Sequence, residues 1–164
     1  MMERVQVSNG TKPLYIFDLD GTLALIEHRR AILQDKTNGY RWRQFYAACD
    51  LDLPNTPVID TLWLLHRAGA EIWVWSGRSD EVADKTWAWL KTHLTRDEVY
   101  PVTALRMRRE NDYTPDNVLK ERWFLGLAER DRKRLVATFD DRDRIVAMYR
   151  GHGAACYQVA PGDF

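Results

Sequence analysis

The chain lacks the features that would mark a secreted or membrane protein. It has only two cysteines, Cys49 and Cys156, far apart in the sequence. So few thiols fit a reduced cytoplasmic protein better than a disulfide framework. No stretch approaches the roughly 20 apolar residues of a membrane span, and the polar first dozen residues lack the apolar core of a signal peptide. We therefore expect a cytoplasmic protein with no membrane partner.

Net charge is also absent, because 24 basic residues balance 24 acidic ones. A balanced chain is not expected to coat nucleic acid nonspecifically. Lysine is scarce, since 18 of the basic residues are arginine and 6 are lysine. Arginine binds phosphate as a fork and stacks on bases, so this bias fits a nucleic-acid end as substrate. Codon usage in a GC-rich genome explains the bias equally well.

Internal divisions and one common phosphate-binding motif are missing too. No repeat, low-complexity tract or long linker divides the chain. There is no Gly-x-x-x-x-Gly-Lys-Ser/Thr loop, the motif that cradles the phosphates of a nucleoside triphosphate. At 164 residues and 45% apolar content, the chain can bury one substantial core. We expect a flexible leader over 1–12 and a single domain over 13–164.

The strongest positive signal is the segment Phe17-Asp18-Leu19-Asp20-Gly21-Thr22. It follows the apolar run 14–17, so two carboxylates come at the C-terminal end of a predicted strand, where open α/β sheets bind ligands. Residues two apart on an extended chain point the same way, so Asp18 and Asp20 can converge on one reacting group. One carboxylate can attack while the other transfers a proton. The same motif would also occur in a simple turn, in which Asp side chains hydrogen-bond to the nearby backbone.

The segment Ser76-Gly77-Arg78 follows a second predicted strand, 71–75. Its hydroxyl, flexible backbone and guanidinium can together grip a phosphate. An ordinary turn before a helix capped by Ser79 would also account for it.

An acidic pair and a lysine complete the candidate site. Asp140 and Asp141 follow the predicted strand 135–139, and their adjacent charges favour a bound cation, although acids also suit a helix N-terminus. Lys120 lies in the helix predicted to begin near 114–116. A lone lysine is usually a solvated surface residue, so Lys120 is a site candidate only in combination with the other segments.

Taken in this order, the four segments resemble the motifs of the haloacid dehalogenase superfamily of phosphatases. The resemblance implies that Asp18 is the nucleophile and becomes a phosphoaspartate. Asp20 would protonate the leaving oxygen and then activate the hydrolytic water. Ser76 and Lys120 would hold the phosphoryl oxygens.

The same resemblance implies a magnesium site. Asp18, the main-chain carbonyl of Asp20 and Asp140 would bind the ion, with Asp141 nearby and acting through water. The physical need is clear, because a carboxylate approaches an anionic phosphate ester only if positive charge offsets the repulsion. Mg²⁺ prefers hard oxygen ligands and keeps several waters, which suits two or three carboxyl oxygens.

From Leu14 onward the chain is most similar to the 3'-phosphatase half of the phage polynucleotide kinase/phosphatase enzymes. That subfamily has an arginine after its first motif, Ser-Gly-Arg after the second strand, a Val-x-Lys-Glu segment and an acidic pair extended to Asp-Asp-Arg. The similarity implies substrate-binding roles for Arg29, Gly77, Arg78 and Arg109. The match to Arg109 needs a one-residue gap, so Arg108 is an alternative.

The sequence predicts an α/β protein with a Rossmann-like parallel sheet flanked by helices, as in the haloacid dehalogenase-like fold. Strands are expected at 14–18, 71–75, 100–104, 135–139 and 155–159. The chain between the first strand and Ser76 has room only for a small helical excursion and one helix beginning at Thr56, so little or no cap is expected. An open site favours a polymer end as substrate.

We therefore expect a magnesium-dependent phosphatase that removes 3'-phosphate, with 2',3'-cyclic phosphate as a further candidate, from DNA or RNA ends in repair. The alternatives are a nucleotidase or small-metabolite phosphatase, and a non-catalytic metal-binding scaffold. Without the triphosphate-binding loop the chain should not phosphorylate 5' ends, so a separate kinase or ligase is a candidate partner. A phage-encoded chain would act in the host cytoplasm.

Overall fold

The computed structural model describes residues 11–162, so most of the leader predicted over 1–12 lies outside the described residues. The strands are β1 (Leu14–Phe17), β2 (Ala24–Leu25), β3 (Leu53–Pro54), β4 (Glu71–Ser79), β5 (Val102–Arg108), β6 (Leu135–Asp140) and β7 (Cys156–Gln158). The α-helices are α1 (Glu27–Gln34), α2 (Arg41–Ala47), α3 (Thr56–Arg67), α4 (Ala83–Leu94), α5 (Asp116–Leu125), α6 (Glu129–Arg134) and α7 (Asp143–Gly151). Two 3₁₀ turns, Cys49–Leu51 and Asp80–Val82, complete these elements.

The main sheet has five parallel strands in the order β5-β4-β1-β6-β7. The chain starts at the central strand β1, builds outward through β4 and β5, and then returns to build the other side through β6 and β7. Its direction therefore reverses beside β1, and such reversals are where open α/β sheets form ligand crevices at their C-terminal edge. The predicted doubly flanked parallel sheet is confirmed.

Alternation along β1 divides the core into two layers. Phe17 packs with residues of α3 and α4, such as Leu62 and Leu90, on one face of the sheet. Leu14 and Ile16 pack on the other face in a cluster supplied by α5 and α7. Side chains of successive strand residues point to opposite faces, so one short apolar strand serves both layers. The central strand is consequently fixed from both sides, and so is the site at its end.

The connection from β1 to α3 forms the small excursion that the sequence predicts. It contains the antiparallel pair β2–β3, the helices α1 and α2, and the 3₁₀ turn Cys49–Leu51. No helix within residues 11–162 is long and apolar enough to cross a membrane.

Several boundaries differ from the sequence prediction. Strand β5 runs over Val102–Arg108 where 100–104 was predicted, because it continues alongside the lengthened β4. Strand β4 continues to Ser79, four residues beyond the predicted end, and its pairing with β5 shifts between Ser76 and Ser79. This irregularity takes Gly77 and Arg78 out of the ladder and turns them toward the site, as a β-bulge does. The Ser79 hydroxyl accepts a hydrogen bond from the Glu81 N–H at 3.3 Å, so it caps a 3₁₀ turn, and α4 begins only at Ala83.

Candidate active site

Three buried charged groups meet where β1 and β6 end. Asp18 directly follows β1, and its N–H donates to the Phe139 carbonyl at 2.8 Å, which keeps it beside β6. Asp140 is the last residue of β6. Lys120, from the middle of α5, donates through Nζ to Asp18 Oδ1 at 2.5 Å and to Asp140 Oδ2 at 2.6 Å. The lysine is thus a buried bridge between two carboxylates and not a surface residue.

Negative charge exceeds positive charge in this cluster. Burial raises the pKa of Asp18 well above its usual value, Lys120 lowers it, and Asp140 and Asp141 raise it again. Burial and the neighbouring Asp140 raise the pKa of Asp141 to about 6. Burial alone would lower the pKa of Lys120, but Asp140 and Asp18 raise it. One ammonium group therefore does not balance three close carboxylates.

The cluster fits a divalent cation. Carboxylate oxygens of Asp18, Asp140 and Asp141 lie within 4.8 Å of one another, and all three residues are buried. In the described part of the chain, the buried Oδ1 of Asp141 has no hydrogen-bond partner. Hard oxygen donors with an unused lone pair suit Mg²⁺, and these three side chains would hold it. When bound, the ion would offset the repulsion between a phosphate ester and the carboxylates.

Gly21 allows the turn after β1 to pass close to the acidic pair. Its φ of +85° lies in the left-handed region, and a Cβ at this position would sit 2.6 Å from the Asp141 Cγ. Only glycine meets both demands without displacing that carboxylate. The Asp-Gly step of the motif is therefore explained by packing as well as by the turn.

Asp20 is held by two fully buried arginines. Its Oδ1 accepts from Arg29 Nη2 at 2.7 Å and from Arg78 Nε at 2.7 Å. Burial raises the pKa of Asp20, but Arg78 and Arg29 lower it by more, so the net pKa lies below the usual value. The structure places Arg29 and Arg78, both predicted to bind substrate, behind Asp20, where their N–H groups are engaged by protein carboxylates.

A second buried carboxylate, Asp52, explains why two arginines can be packed here. Arg29 binds it as a fork, with Nε on Oδ1 at 2.7 Å and Nη2 on Oδ2 at 2.6 Å. Arg78 adds Nη2 on Oδ2 at 2.5 Å. The Trp89 indole N–H fixes the Asp52 carbonyl at 2.7 Å. Two cations and two anions therefore form a closed group that presents Asp20 to the cavity.

The closed group leads to a stability prediction. Asp52→Ala leaves two buried guanidinium groups with one carboxylate, and we expect it to lower the free energy of unfolding by about 3–5 kcal/mol. Asp50→Ala is the matched control, because Asp50 is exposed and pairs with Lys85 at 3.1 Å on the surface. Its cost should stay below about 1 kcal/mol. Urea denaturation of both variants checks the difference, and equal losses would contradict it.

The cavity wall at the end of β4 is built around Gly77. The Ser76 hydroxyl is fully buried and accepts from the Arg78 N–H at 3.2 Å, while Gly77 itself lines the cavity. A Cβ on Gly77 would lie 2.7 Å from the Asp116 Oδ1, so no side chain fits between β4 and α5. Asp116 in turn forms ion pairs with Arg108 and Arg142. These contacts lock the start of α5 against the end of β4.

The two candidate arginines at the end of β5 differ in placement. Arg108 is buried, and its Nε donates to the Gly77 carbonyl at 2.8 Å, so it supports the loop that carries the cavity wall. Arg109 is exposed. Among the described residues, neither lines the cavity.

Sequence reasoning assigned no role to two acidic residues of the site. Asp52 and Asp116 received none, although Asp116 lines the cavity. One weak signal for Asp52 was available in the sequence. Two candidate site arginines need carboxylate partners, and Asp52 is one of the acids that could supply them. The aromatic residues of α2 also line the cavity, as do an arginine and an isoleucine after β6; these are Trp42, Phe45, Tyr46, Arg142 and Ile145.

The chain is similar over most of its length to several solved structures. The chain aligns with two structures of the Pnkp1/Rnl/Hen1 complex, one described as an RNA repair complex, at 28% identity and TM-scores of 0.72 and 0.73. The alignments cover 99% and 100% of this chain but 48% and 53% of the matched chain, so this chain spans about half its length. L-2-haloacid dehalogenase from Xanthobacter autotrophicus shares the fold, with a TM-score of 0.51, 13% identity and coverage of 91% and 78%.

The family model described as the polynucleotide kinase PNKP phosphatase domain matches residues 12–164. The match takes in the whole sheet, both flanking layers and every charged group described above. The structure, this match and the two Pnkp1 alignments agree on one class of enzyme, a haloacid dehalogenase-type phosphatase. The chain belongs to the family of the polynucleotide kinase PNKP phosphatase domain.

Proposed function

We propose that the protein is a magnesium-dependent polynucleotide 3'-phosphatase that acts on DNA or RNA ends during repair. The observation that carries the proposal is the family match over residues 12–164 on a chain whose charged groups converge in one cavity. The RNA repair complex that contains the matched Pnkp1 chain supports a nucleic-acid substrate. 2',3'-Cyclic phosphate is a further candidate substrate of the same site.

In the proposed reaction Asp18 attacks phosphorus. A bond forms between its free carboxylate oxygen and phosphorus while the bond to the sugar 3'-oxygen breaks. Lys120 stays on Asp18 Oδ1 and offsets charge in the crowded anionic transition state. The resulting phosphoaspartate is then attacked by water, which returns Asp18 and releases inorganic phosphate.

Asp20 transfers the proton in both halves of this reaction. It gives a proton to the departing 3'-oxygen and takes one back from the attacking water, so it must enter the reaction protonated. Arg78 and Arg29 lower its pKa in the free protein, and the negative charge of a bound phosphate would raise it again and favour the protonated acid. Its contacts with Arg29 and Arg78 fall on Oδ1, at distances of 2.5–2.7 Å, and Asp20 lines the cavity. We therefore assign proton transfer to Oδ2. The arginines would orient the carboxyl group through their contacts with Oδ1.

The small excursion between β1 and α3 supports a polymer end as substrate. It contains two short helices and a strand pair, so no large domain covers the cavity from this connection. The cavity measures about 320 Å³, counting its open mouth. That figure includes open solvent, so the enclosed part is small and suits a terminal phosphate group of a polymer.

A kinase or ligase activity is proposed to act on the same ends. These 164 residues contain no triphosphate-binding loop, so that activity would come from another domain or from a partner protein, in the cytoplasm of the cell that expresses the chain. The Pnkp1, Rnl and Hen1 proteins of the matched complex illustrate such an assembly of different chains.

A terminal phosphate also occurs on mononucleotides, so substrate ranking is the decisive test. We expect kcat/KM for a 3'-phosphorylated oligonucleotide to exceed that for nucleoside 3'- and 5'-monophosphates by at least tenfold, about 1.4 kcal/mol of extra binding. Phosphate release with magnesium measures this, with Asp18→Asn as the blank. Equal or better rates on the monomers would replace the proposal with a nucleotidase.

A further inference from the structure

The cavity has two chemically different walls. It is lined by charged groups and Gly77 and, from α2, by three aromatic residues, namely Trp42, Phe45 and Tyr46. Phe45 and Tyr46 lie three and four residues after Trp42, so each of them neighbours Trp42 on the helix surface. A ligand that fills the cavity therefore meets both charged groups and flat apolar surface.

Two of the aromatic residues stabilise neighbouring parts of the structure. Phe45 is buried, and the Arg29 guanidinium lies 4.0 Å from its ring centroid, so it packs against the arginine that holds Asp20. The Tyr46 hydroxyl donates to the Gly77 carbonyl at 3.1 Å, which ties α2 to the end of β4. Both contacts stabilise the site.

Trp42 is the exposed member of the three. Its side chain is 41% exposed, and its ring is held by Phe45 edge to face at 6.0 Å and by Tyr46 at 6.0 Å. The neighbouring Arg43 is largely exposed and pairs with Glu81 at 3.1 Å. An indole fixed by two other rings, with open area beside a cavity that also contains Asp18, is a platform for a flat ligand.

We propose that Trp42 forms a nucleobase subsite, on which the base of the 3'-terminal nucleotide stacks while its phosphate lies against Asp18. This inference rests on the proposed function and names the part of the substrate that the second wall recognises. Stacking tolerates every base, because each base has a π-face, so the subsite would bind any 3' end without reading sequence. A phosphorylated sugar without a base would leave the indole exposed to water.

The test compares two 3'-phosphorylated oligonucleotides that differ only in having a normal or an abasic terminal nucleotide. For the intact protein we expect kcat/KM to be 10- to 100-fold higher with the base, which corresponds to about 1–3 kcal/mol for one stacked base. Trp42→Ala should abolish this ratio by slowing the base-bearing substrate and leaving the abasic one within twofold. Trp42→Phe should keep most of the ratio.

The matched control is Tyr113→Ala, which removes an aromatic side chain that is 86% exposed and does not line the cavity. It should leave the ratio unchanged. The subsite would be overturned if Trp42→Ala lowered kcat/KM equally for both oligonucleotides. It would also be overturned if Tyr113→Ala reduced the ratio as much as Trp42→Ala does. No turnover of either oligonucleotide by the intact protein would instead overturn the proposed function, and faster turnover of a phosphotyrosine peptide would assign the indole to a different aromatic ester.

Discussion

Asp18→Asn is expected to lower kcat on any phosphate monoester by at least ~10⁴-fold. The amide is a poor nucleophile and cannot form a stable bond to phosphorus, so the first step of the proposed reaction is lost. The fold should persist, because the amide oxygen can still accept the hydrogen bond that Lys120 Nζ donates to Asp18 Oδ1. Removing one charge also relieves repulsion from Asp140 and Asp141.

Steady-state phosphate release and thermal unfolding, measured on the same preparations, check both halves of this prediction. Asp84→Asn is the control, because Asp84 is an exposed acid in the first turn of α4. It should leave both readouts unchanged. Turnover above one per cent of the unmodified rate in a folded Asp18→Asn variant would refute the nucleophile assignment.

Lys120→Met is expected to weaken both activity and stability. The methionine has a similar length but no charge, so Asp18 and Asp140 lose the ammonium that lies 2.5 and 2.6 Å from their oxygens. Leaving buried charges unpaired typically costs about 3–5 kcal/mol of the free energy of unfolding. We expect kcat to fall ~10²- to 10³-fold, because one preorganised charge is missing from the transition state.

Magnesium gives this prediction a second readout. A cation that binds the folded protein stabilises it by mass action, and it would replace part of the charge that Lys120 supplies. The stability deficit of Lys120→Met should therefore shrink when magnesium replaces EDTA in the denaturation buffer. Lys133→Met, which removes an exposed lysine paired with Glu129, should show no deficit in either buffer. If the stability deficit of Lys120→Met were the same in magnesium and in EDTA, the ion and Lys120 would not share the balancing of these carboxylates.

The sequence was sufficient to predict the sheet and the meeting of its charged ends. Parallel strands bring their carboxyl ends to one edge, so Asp18 after β1, Gly77 within β4 and Asp140 at the end of β6 had to be neighbours once the strands were recognised. Lys120 was found only because the motif order supplied its role. Nothing in its helix distinguishes it from a surface lysine until the two carboxylates are placed.

The supporting residues were harder to predict, because their partners lie on irregular structure. Asp52 precedes the two-residue strand β3 and sits among other acids and leucines, a pattern that indicates only a loop. Its partners Arg29 and Arg78 are 23 and 26 residues away. Helix α6 was missed for a related reason, since its sequence Glu-Arg-Asp-Arg-Lys-Arg has no apolar residue to show a helical period.

In the proposed function, this cavity removes phosphate from the 3' ends of nucleic acids with the help of a metal. The most direct test incubates the purified protein with two oligonucleotides of the same sequence, one phosphorylated at its 3' end and one at its 5' end. Each reaction is run with magnesium and with EDTA. We expect phosphate release from the 3' end alone, and only with magnesium. Release from neither end, with turnover of mononucleotides or generic esters, would keep the catalytic cluster and contradict the polynucleotide substrate.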